Sequence, residues 1–318
     1  ITPLTLLIVN KIFSVFNFFV IYFISKIIFK KNWISLIVVI TYVSSIFVQT
    51  MFSSIEYGTI AIFFTHISIL FLLKFVKDNK MNFFILSNIS IILASFYRYE
   101  LSFLFGVPYI AYYCIFLKKN KQIKWLMIIT TLILLTIVMP VVKSFTFYED
   151  PLSRGDKIEG NEIFSFVANT KNVFINNVII NKDLHSQSGF VSLFTYFGLA
   201  FSIIILTNLI YNLIKRKKLQ SYYKWISLFA FYNLFYLFFQ ITFHMEGLRT
   251  SWKYSVNYFL CEIILTYFVI LFLIDRIKIK KIDLKYNVNL IEFFVLILFF
   301  IIALLTSNAL SFNNKIQN

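Results

Sequence analysis

Residues 189–218 read GFVSLFTYFGLAFSIIILTNLIYNLIKRKK. From Gly189 to Leu213 no side chain carries a formal charge, and the run then meets Lys215, Arg216, Lys217 and Lys218. At 1.5 Å of rise per residue, such a helix covers the ~30 Å hydrocarbon core of a bilayer. The same pattern recurs on both sides of it. Apolar spans are expected at about 4–29, 33–51, 57–76, 81–97, 101–117, 123–146, 189–213, 222–243, 253–274 and 288–307. The reading is an all-α, polytopic integral membrane protein with about ten transmembrane helices.

Charge tests the spans. Consecutive spans alternate in direction, so alternate connections fall on opposite faces. One face collects Lys26, Lys30 and Lys31; Lys74, Lys77 and Lys80; Lys118, Lys119, Lys121 and Lys124; Lys215, Arg216, Lys217, Lys218 and Lys224; and Arg276, Lys278, Lys280, Lys281 and Lys285. These are twenty of the thirty cations, accompanied only by Asp78, Asp275, Asp283 and Glu292. A wrong span would have scrambled this alternation. Lysine and arginine excess marks the cytoplasmic side. The expected location is therefore a bacterial cytoplasmic membrane, with the acidic, sparsely basic face outside.

Composition agrees. Hydrophobic residues make up 59% of the chain and charged residues 14%, at a mean hydropathy of +0.80. A soluble domain of this length carries far more charge. The net charge of +16 orients helices and meets anionic headgroups. A nucleic-acid partner is not expected, since no basic face with interleaved polar readers exists. Cys114 and Cys261 lie within spans, where a structural disulfide is not expected.

The chain reads as a single membrane domain, residues 1–318, with one long outer loop at 147–188. Within that loop Ile163, Phe166, Val167, Thr170, Phe174 and Val178 follow helical spacing and predict an amphipathic helix lying in the interface. Residue 1 is Ile, and the first span runs from outside to inside. A preceding helix and a first outer loop are therefore expected upstream.

Three short outer connections hold ionisable groups against apolar helix ends. They are Ser53-Ser54-Ile55-Glu56-Tyr57-Gly58, then Tyr97-Arg98-Tyr99-Glu100, then His244 to Tyr254 with Glu246, Arg249, Trp252 and Lys253. Charge at that depth is costly unless paired or hydrated. Such a patch suits a phosphate-bearing lipid substrate. Arg neutralises phosphate oxygens bidentately, a carboxylate orients a hydroxyl or accepts its proton, and Tyr or Trp stacks on a sugar face. Each has a plainer alternative: Arg98 pairing with Glu100 or Glu56, Lys253 and Trp252 as interfacial anchors, Glu246 as a solvated turn acid. His66 reads as a packed helix-interior histidine, and Glu262 as a buried hydrogen-bonding group between helices. No His/Cys spacing points to a metal; whether a divalent cation is needed stays open.

The run from Ser53-x-x-Glu56 into an apolar helix ending at Lys74–Lys80, then Ile91-Ile92-Leu93-Ala94-Ser95-Phe96-Tyr97-Arg98-Tyr99-Glu100 and a span with Pro108, resembles the membrane core of GT-C-type glycosyltransferases. That group includes the polyprenyl-phosphate-sugar-dependent protein mannosyltransferases and aminoarabinose transferases. Tyr196-Phe197-Gly198-Leu199 and Arg249-x-x-x-Lys253-Tyr254 extend the resemblance to about residue 275. It implies transfer of a sugar from a polyprenyl-phosphate donor to a glycan, lipid or protein acceptor at the outer face. In the family an acid on the first outer loop acts as base, and that loop has no counterpart here. On the positions that match, the resemblance implies Glu56 and Glu100 as catalytic, and Arg98, Glu246, Arg249, Lys253 and Tyr254 as substrate-binding. These groups are expected to line one outer cavity open to lipid. An O-antigen or capsule polymerase or ligase, or a lipid-linked glycan flippase, would share parts of this pattern.

Overall fold

A computed structural model describes residues 3–45, 48–49, 52, 58–97, 108–109, 112, 189–215, 223–243, 248–281 and 288–316. Among them every regular element is helical. The long helices are α1 (Pro3–Phe29), α2 (Asn32–Ser44), α3 (Gly58–Asp78), α4 (Met81–Tyr97), α5 (Gly189–Ile214), α6 (Tyr223–Phe243), α7 (Leu248–Lys281) and α8 (Val288–Ile316). Helices dominate because hydrocarbon offers no partner to a backbone N–H or C=O, and a helix satisfies both within one segment. Leu4–Phe29, Gly58–Asp78 and Tyr196–Ile214 are long and apolar enough to cross a membrane. Shorter apolar helices occupy Asn32–Ser44, Met81–Tyr97, Trp225–Phe235 and Leu290–Leu304.

Among the described residues the helices follow the expected spans at 4–29, 57–76, 81–97, 189–213 and 222–243 closely, with three differences elsewhere. The span read as continuous over 33–51 breaks after Ser44. Ser45 is extended (φ −70°, ψ 125°), and a helical turn resumes with Gln49 N–H bonding Ser45 O at 3.0 Å. Adjacent serines favour such a break, because hydroxyls bond to backbone carbonyls and compete with the ladder; Ser44 Oγ donates to Ile40 O at 2.8 Å. The Gln49 amide then donates to Val43 O at 3.0 Å, meeting a carbonyl near the break. The second difference lies in α7, which starts at Leu248. Residues 248–254, read as part of a connection, are helical, and the helix runs through 34 residues, roughly 51 Å. That exceeds the ~30 Å hydrocarbon thickness, so its ends project or the helix tilts. Third, α8 continues to Ile316 rather than ending near 307. Of the span expected at 101–117, only Pro108, Tyr109 and Tyr112 are described, and they are helical. The span at 123–146, the loop at 147–188 and its interfacial helix lie outside the described residues.

Direction follows from contacts. Phe13 meets Phe63 with ring centroids 5.0 Å apart, and Asn17 meets His66, so α1 and α3 run parallel. Phe194 meets Phe259, and Gly198 meets Glu262, so α5 and α7 run parallel. Lys30 (φ 60°) and Asn79 (φ 54°) take left-handed conformations that close α1 and α3, with Lys30 N–H to Lys26 O at 3.0 Å and Asn79 N–H to Phe75 O at 2.7 Å. This is the geometry of a C-terminal helix cap, and it turns the chain within two residues. The Lys30-Lys31 and Asn79-Lys80 turns fall at one end of the assembly. Lys31 Nζ reaches Glu292 Oε2, near the start of α8, at 2.5 Å. These two basic turns thus share one end, as the charge alternation requires of them.

Helix α7 is the axis. Residues Phe259 to Tyr267 are all buried, and α7 touches α1, α2 and α3 on one side and α5, α6 and α8 on the other. A helix buried on every side over this stretch belongs in such a position.

Candidate membrane-embedded functional site

Glu56, Arg98, Glu100 and Glu246 lie outside the described residues. Arg249, Lys253 and Tyr254 stand on the first two turns of α7, and their side chains lie outside the described set. Of the groups named from sequence, the structure places the neighbours. Gly58, two residues after Glu56, opens α3; Tyr97, just before Arg98, closes α4; Leu248 opens α7. With α1 parallel to α3, and α4 returning antiparallel to it, these three helix ends share the face opposite the Lys30-Lys31 turn. Segments about 190 residues apart in sequence therefore reach the same end of the helix bundle.

Beneath that end is a polar seam that sequence reading had not singled out. Asn10, Ser14 and Asn17 are buried on one face of α1 at three- and four-residue spacing, a periodicity visible in the sequence. Ser14 Oγ donates to Asn10 O at 2.7 Å. The carbonyl Oδ1 of Asn17 can only accept, so Nδ1–H of His66 donates to it, at 2.8 Å. His66 is fully buried, as expected of a packed helix-interior histidine, and this bond fixes its tautomer. The Tyr42 ring lies edge-on to His66, centroids 5.7 Å apart, and stacks with Phe259 of α7 at 6.1 Å. Four helices therefore meet around one imidazole.

A second network joins α3, α4 and the following span. Ser68 Oγ donates to Ser87 O at 2.8 Å, and Ser87 Oγ returns the bond to Ser68 O at 2.8 Å. Each hydroxyl has one proton, so the Tyr109 hydroxyl, 2.6 Å from Ser68 Oγ, is the donor in that pair. Serine at both crossing positions lets the α3 and α4 backbones approach closely, as small residues do in membrane helix packing. Further along α2, Thr41 Oγ1 and the Tyr267 hydroxyl lie 2.6 Å apart and tie it to α7.

Glu262 is 6% exposed, in keeping with a buried group between helices. Its stem occupies the place where a side chain at 198 would stand: a Cβ there would lie 2.9 Å from Glu262 Cβ and 3.0 Å from its Cα. Gly198 is thus required by close approach of α5 to α7. Cys261 is buried and has a free thiol; Cys114 lies outside the described residues. Among the described residues no three His, Cys, Asp or Glu side chains cluster as a metal site would need.

Membrane-crossing helices with basic turns gathered at one end, and polar groups paired across the helix interfaces, define a helical integral membrane protein. Within that class, residues 3–143 match the family model described as dolichyl-phosphate-mannose-protein mannosyltransferase, so the N-terminal part of the chain is similar to a family of membrane glycosyltransferases of GT-C type. The matched stretch contains α1 to α4, hence Asn17, Tyr42, His66 and the Ser68–Ser87–Tyr109 network, together with Glu56, Arg98 and Glu100. Searches of the curated proteins gave no match, and neither did searches of the solved structures.

Proposed function

We propose that this protein transfers a sugar from a polyprenyl-phosphate donor to an acceptor at the outer face of a bacterial cytoplasmic membrane, in cell-envelope glycan or glycoconjugate assembly. The observation that carries the reading is the match of residues 3–143 to a family named for a dolichyl-phosphate-mannose donor. The gathering of the Gly58, Tyr97 and Leu248 helix ends on the face away from the basic turns supports it, because that face would be the outer one.

The chemistry needs two things. An acceptor hydroxyl must lose its proton as it attacks the anomeric carbon, and the departing lipid phosphate must be stabilised as its charge grows. Glu56 and Glu100 are the proposed carboxylates for the first task. Arg98, Arg249 and Lys253 are proposed to meet the phosphate, with Glu246 and Tyr254 orienting the sugar. About ten spans and an interfacial helix in the 147–188 loop, all in a single membrane domain, complete the proposed architecture. A cleft at the bilayer rim would leave the prenyl tail in lipid while the head reaches water.

The test is sugar transfer by the full-length protein in vesicles, with a polyprenyl-phosphate-linked sugar supplied. Arg98→Ala is expected to abolish turnover while expression and thermal unfolding stay unchanged. Wild-type turnover in Arg98→Ala would remove Arg98 from the phosphate site.

A further inference from the structure

The turns that close α1 and α3 lie side by side. Phe13 meets Phe63 and Asn17 meets His66, and carrying that register along the two parallel helices sets Lys30 level with Asn79. These are the left-handed residues that end the two helices. Neighbouring helix axes stand roughly 8–10 Å apart, so Lys26, Lys30 and Lys31 share one area with Lys74, Lys77 and Lys80. Among the described residues of α1 to α4, Asp78 is the one carboxylate. Lys31 pairs with Glu292, which leaves five ammonium groups beside one acid.

Two of these ammoniums are held in place. Lys74 Nζ stands over the rings of Phe71 and Phe83, 5.9 and 5.5 Å from their centroids, and those rings stack at 6.1 Å. Lys26 Nζ stands over Tyr22 at 5.8 Å. Contacts of this kind restrain a charge that would otherwise move with its stem, so less freedom is lost when an anion binds. Lys30, Lys77 and Lys80 are exposed around them. The helix ends themselves carry partial negative charge, so an anion at this place must be held by the ammoniums.

An apolar groove leads to the cluster from the lipid side. Helix α3 is flanked by α1, whose Phe13 and Phe16 lean on Phe63, and by α4, whose Phe83 stacks on Phe71. Between them the half-buried Phe63, Ile67 and Phe71 recur at four-residue spacing and continue into Lys74. On α1 the exposed Phe16, Phe19 and Phe23 recur at three and four residues and continue into Lys26 and Lys30. Both apolar stripes end in cations at one level, as acyl chains end in a phosphate headgroup.

We propose that the basic ends of α1 and α3 form a binding site for an anionic phospholipid with two phosphates in one headgroup, a diphosphatidylglycerol, whose acyl chains lie along the two stripes. The site is at the opposite end from the proposed sugar-transfer centre and does not depend on that activity. Charge selects the occupant. Five ammoniums beside one carboxylate exceed what a single phosphate can neutralise, whereas two phosphates joined by one glycerol engage Lys26 and Lys30 of α1 together with Lys74 and Lys77 of α3. Basic pockets between membrane helices on the cytoplasmic side take headgroups of this kind, through charge-assisted contacts to the phosphate oxygens. Bound there, the lipid offsets repulsion between the two turns and ties α1 to α3.

The experiment uses the full chain in zwitterionic vesicles, with diphosphatidylglycerol titrated as the probe and phosphatidylglycerol, which carries one phosphate, compared at matched phosphate. Lipid retained by the protein and the midpoint of thermal unfolding are read together. Wild type is expected to retain the two-phosphate lipid preferentially, and its midpoint to rise with that lipid. Lys30→Gln combined with Lys77→Gln should weaken retention about thirtyfold and abolish the rise. Its midpoint without the lipid should stay unchanged, because both side chains are exposed. Lys74→Met keeps a stem over the rings and should weaken retention about fivefold. Lys217→Gln combined with Lys218→Gln removes the same charge from another basic connection and should leave retention unchanged. Equal retention by wild type and the Lys30/Lys77 variant overturns the inference, as does wild type that retains no diphosphatidylglycerol. An equal loss in the Lys217/Lys218 variant also overturns it, by reducing the effect to general attraction. Equal retention of phosphatidylglycerol overturns the two-phosphate occupant.

Discussion

The helices of the family-matched region, α1 to α4, and those beyond it, α5 to α8, solve the same packing problem with different chemistry. In the first group the interfaces are studded with small polar side chains: Asn10, Ser14, Asn17, Thr41, Thr65, His66, Ser68, Ser87 and Ser95 are all buried. Several bond to the carbonyl four residues back, as Thr65 does to Ala61 at 2.9 Å and Ser95 does to Ile91 at 2.7 Å. Others bond across helices. In the second group aromatic rings do most of the locking. Phe194 alone meets Phe259, Tyr267 and Phe299 edge-on at 5.9, 5.7 and 5.3 Å. Polar pairing is sparser there among the described residues, as in Asn233 Nδ2 to Ser202 Oγ at 3.2 Å.

The difference follows from what each mode provides. Lipid tails are as apolar as the side chains they replace, so helix association gains little from exclusion of water. A hydrogen bond between small side chains sets helix register and permits close backbones. Interlocked rings fill volume and gain dispersion contacts. The polar mode occupies the helices whose ends lead into Glu56 and Arg98, where a defined register would position those turns. The aromatic mode surrounds α7, the axis on which both groups rest.

That comparison can be broken by substitution. The largest loss is expected from Phe194→Ala, which empties the centre of the aromatic cluster. A cavity of that kind costs about 3 kcal/mol or more, read as a lower midpoint in detergent-unfolding titrations. Next comes the bridge between the groups. Glu292 is 3% exposed, whereas Lys31 is 36% exposed. Lys31→Met strips the counter-ion from a buried carboxylate and is expected to cost about 3 kcal/mol, while Glu292→Gln leaves a cation that water can reach and costs less. Equal losses in the two variants would show that the carboxylate is hydrated. Gly198→Val forces a branched side chain onto Glu262 and should cost about 1–3 kcal/mol by overpacking, with the α5–α7 contact loosened in crosslinking.

The smallest effect is expected in the polar group. Asn17→Leu removes the acceptor from His66 and should cost about 0.6–2 kcal/mol, the range for one interhelical hydrogen bond in a membrane. Its sharper readout is functional. If the polar mode sets the position of the outer turns, transfer activity should fall more in Asn17→Leu than in Phe194→Ala, although the latter loses more stability. The opposite ranking would erase the functional distinction between the two helix groups.

Much of this was legible in the chain. Hydropathy separates residues 57–76 from 81–97 by a basic inner loop around Lys74–Lys80, and α3 and α4 follow those bounds, with Asn79 supplying the left-handed residue of the turn. The span at 33–51 was misread because hydropathy sums over a window, and Ser44-Ser45 barely lowers the sum even though it breaks the ladder. The start of α7 was placed late for the converse reason: Arg249 and Lys253 depress hydropathy without opposing helix formation. The seam on α1 obeyed helical spacing, yet three polar residues among apolar ones carry no mark of their partner. His66 could be read as a packed histidine but not as the partner of Asn17.

Apolar length and lysine placement determined that the chain is helical, crosses a membrane and gathers its basic turns at one end. These are local properties, fixed by the energy of placing each segment in hydrocarbon, so the order of residues suffices. Pairing is different. Asn17 with His66, Tyr42 with Phe259, Gly198 with Glu262 and Lys31 with Glu292 are partners only because α7 stands between two helix groups. Many helix rotations bury the same apolar area, and only the packed tertiary structure selects the one in which these polar and close-packed groups meet.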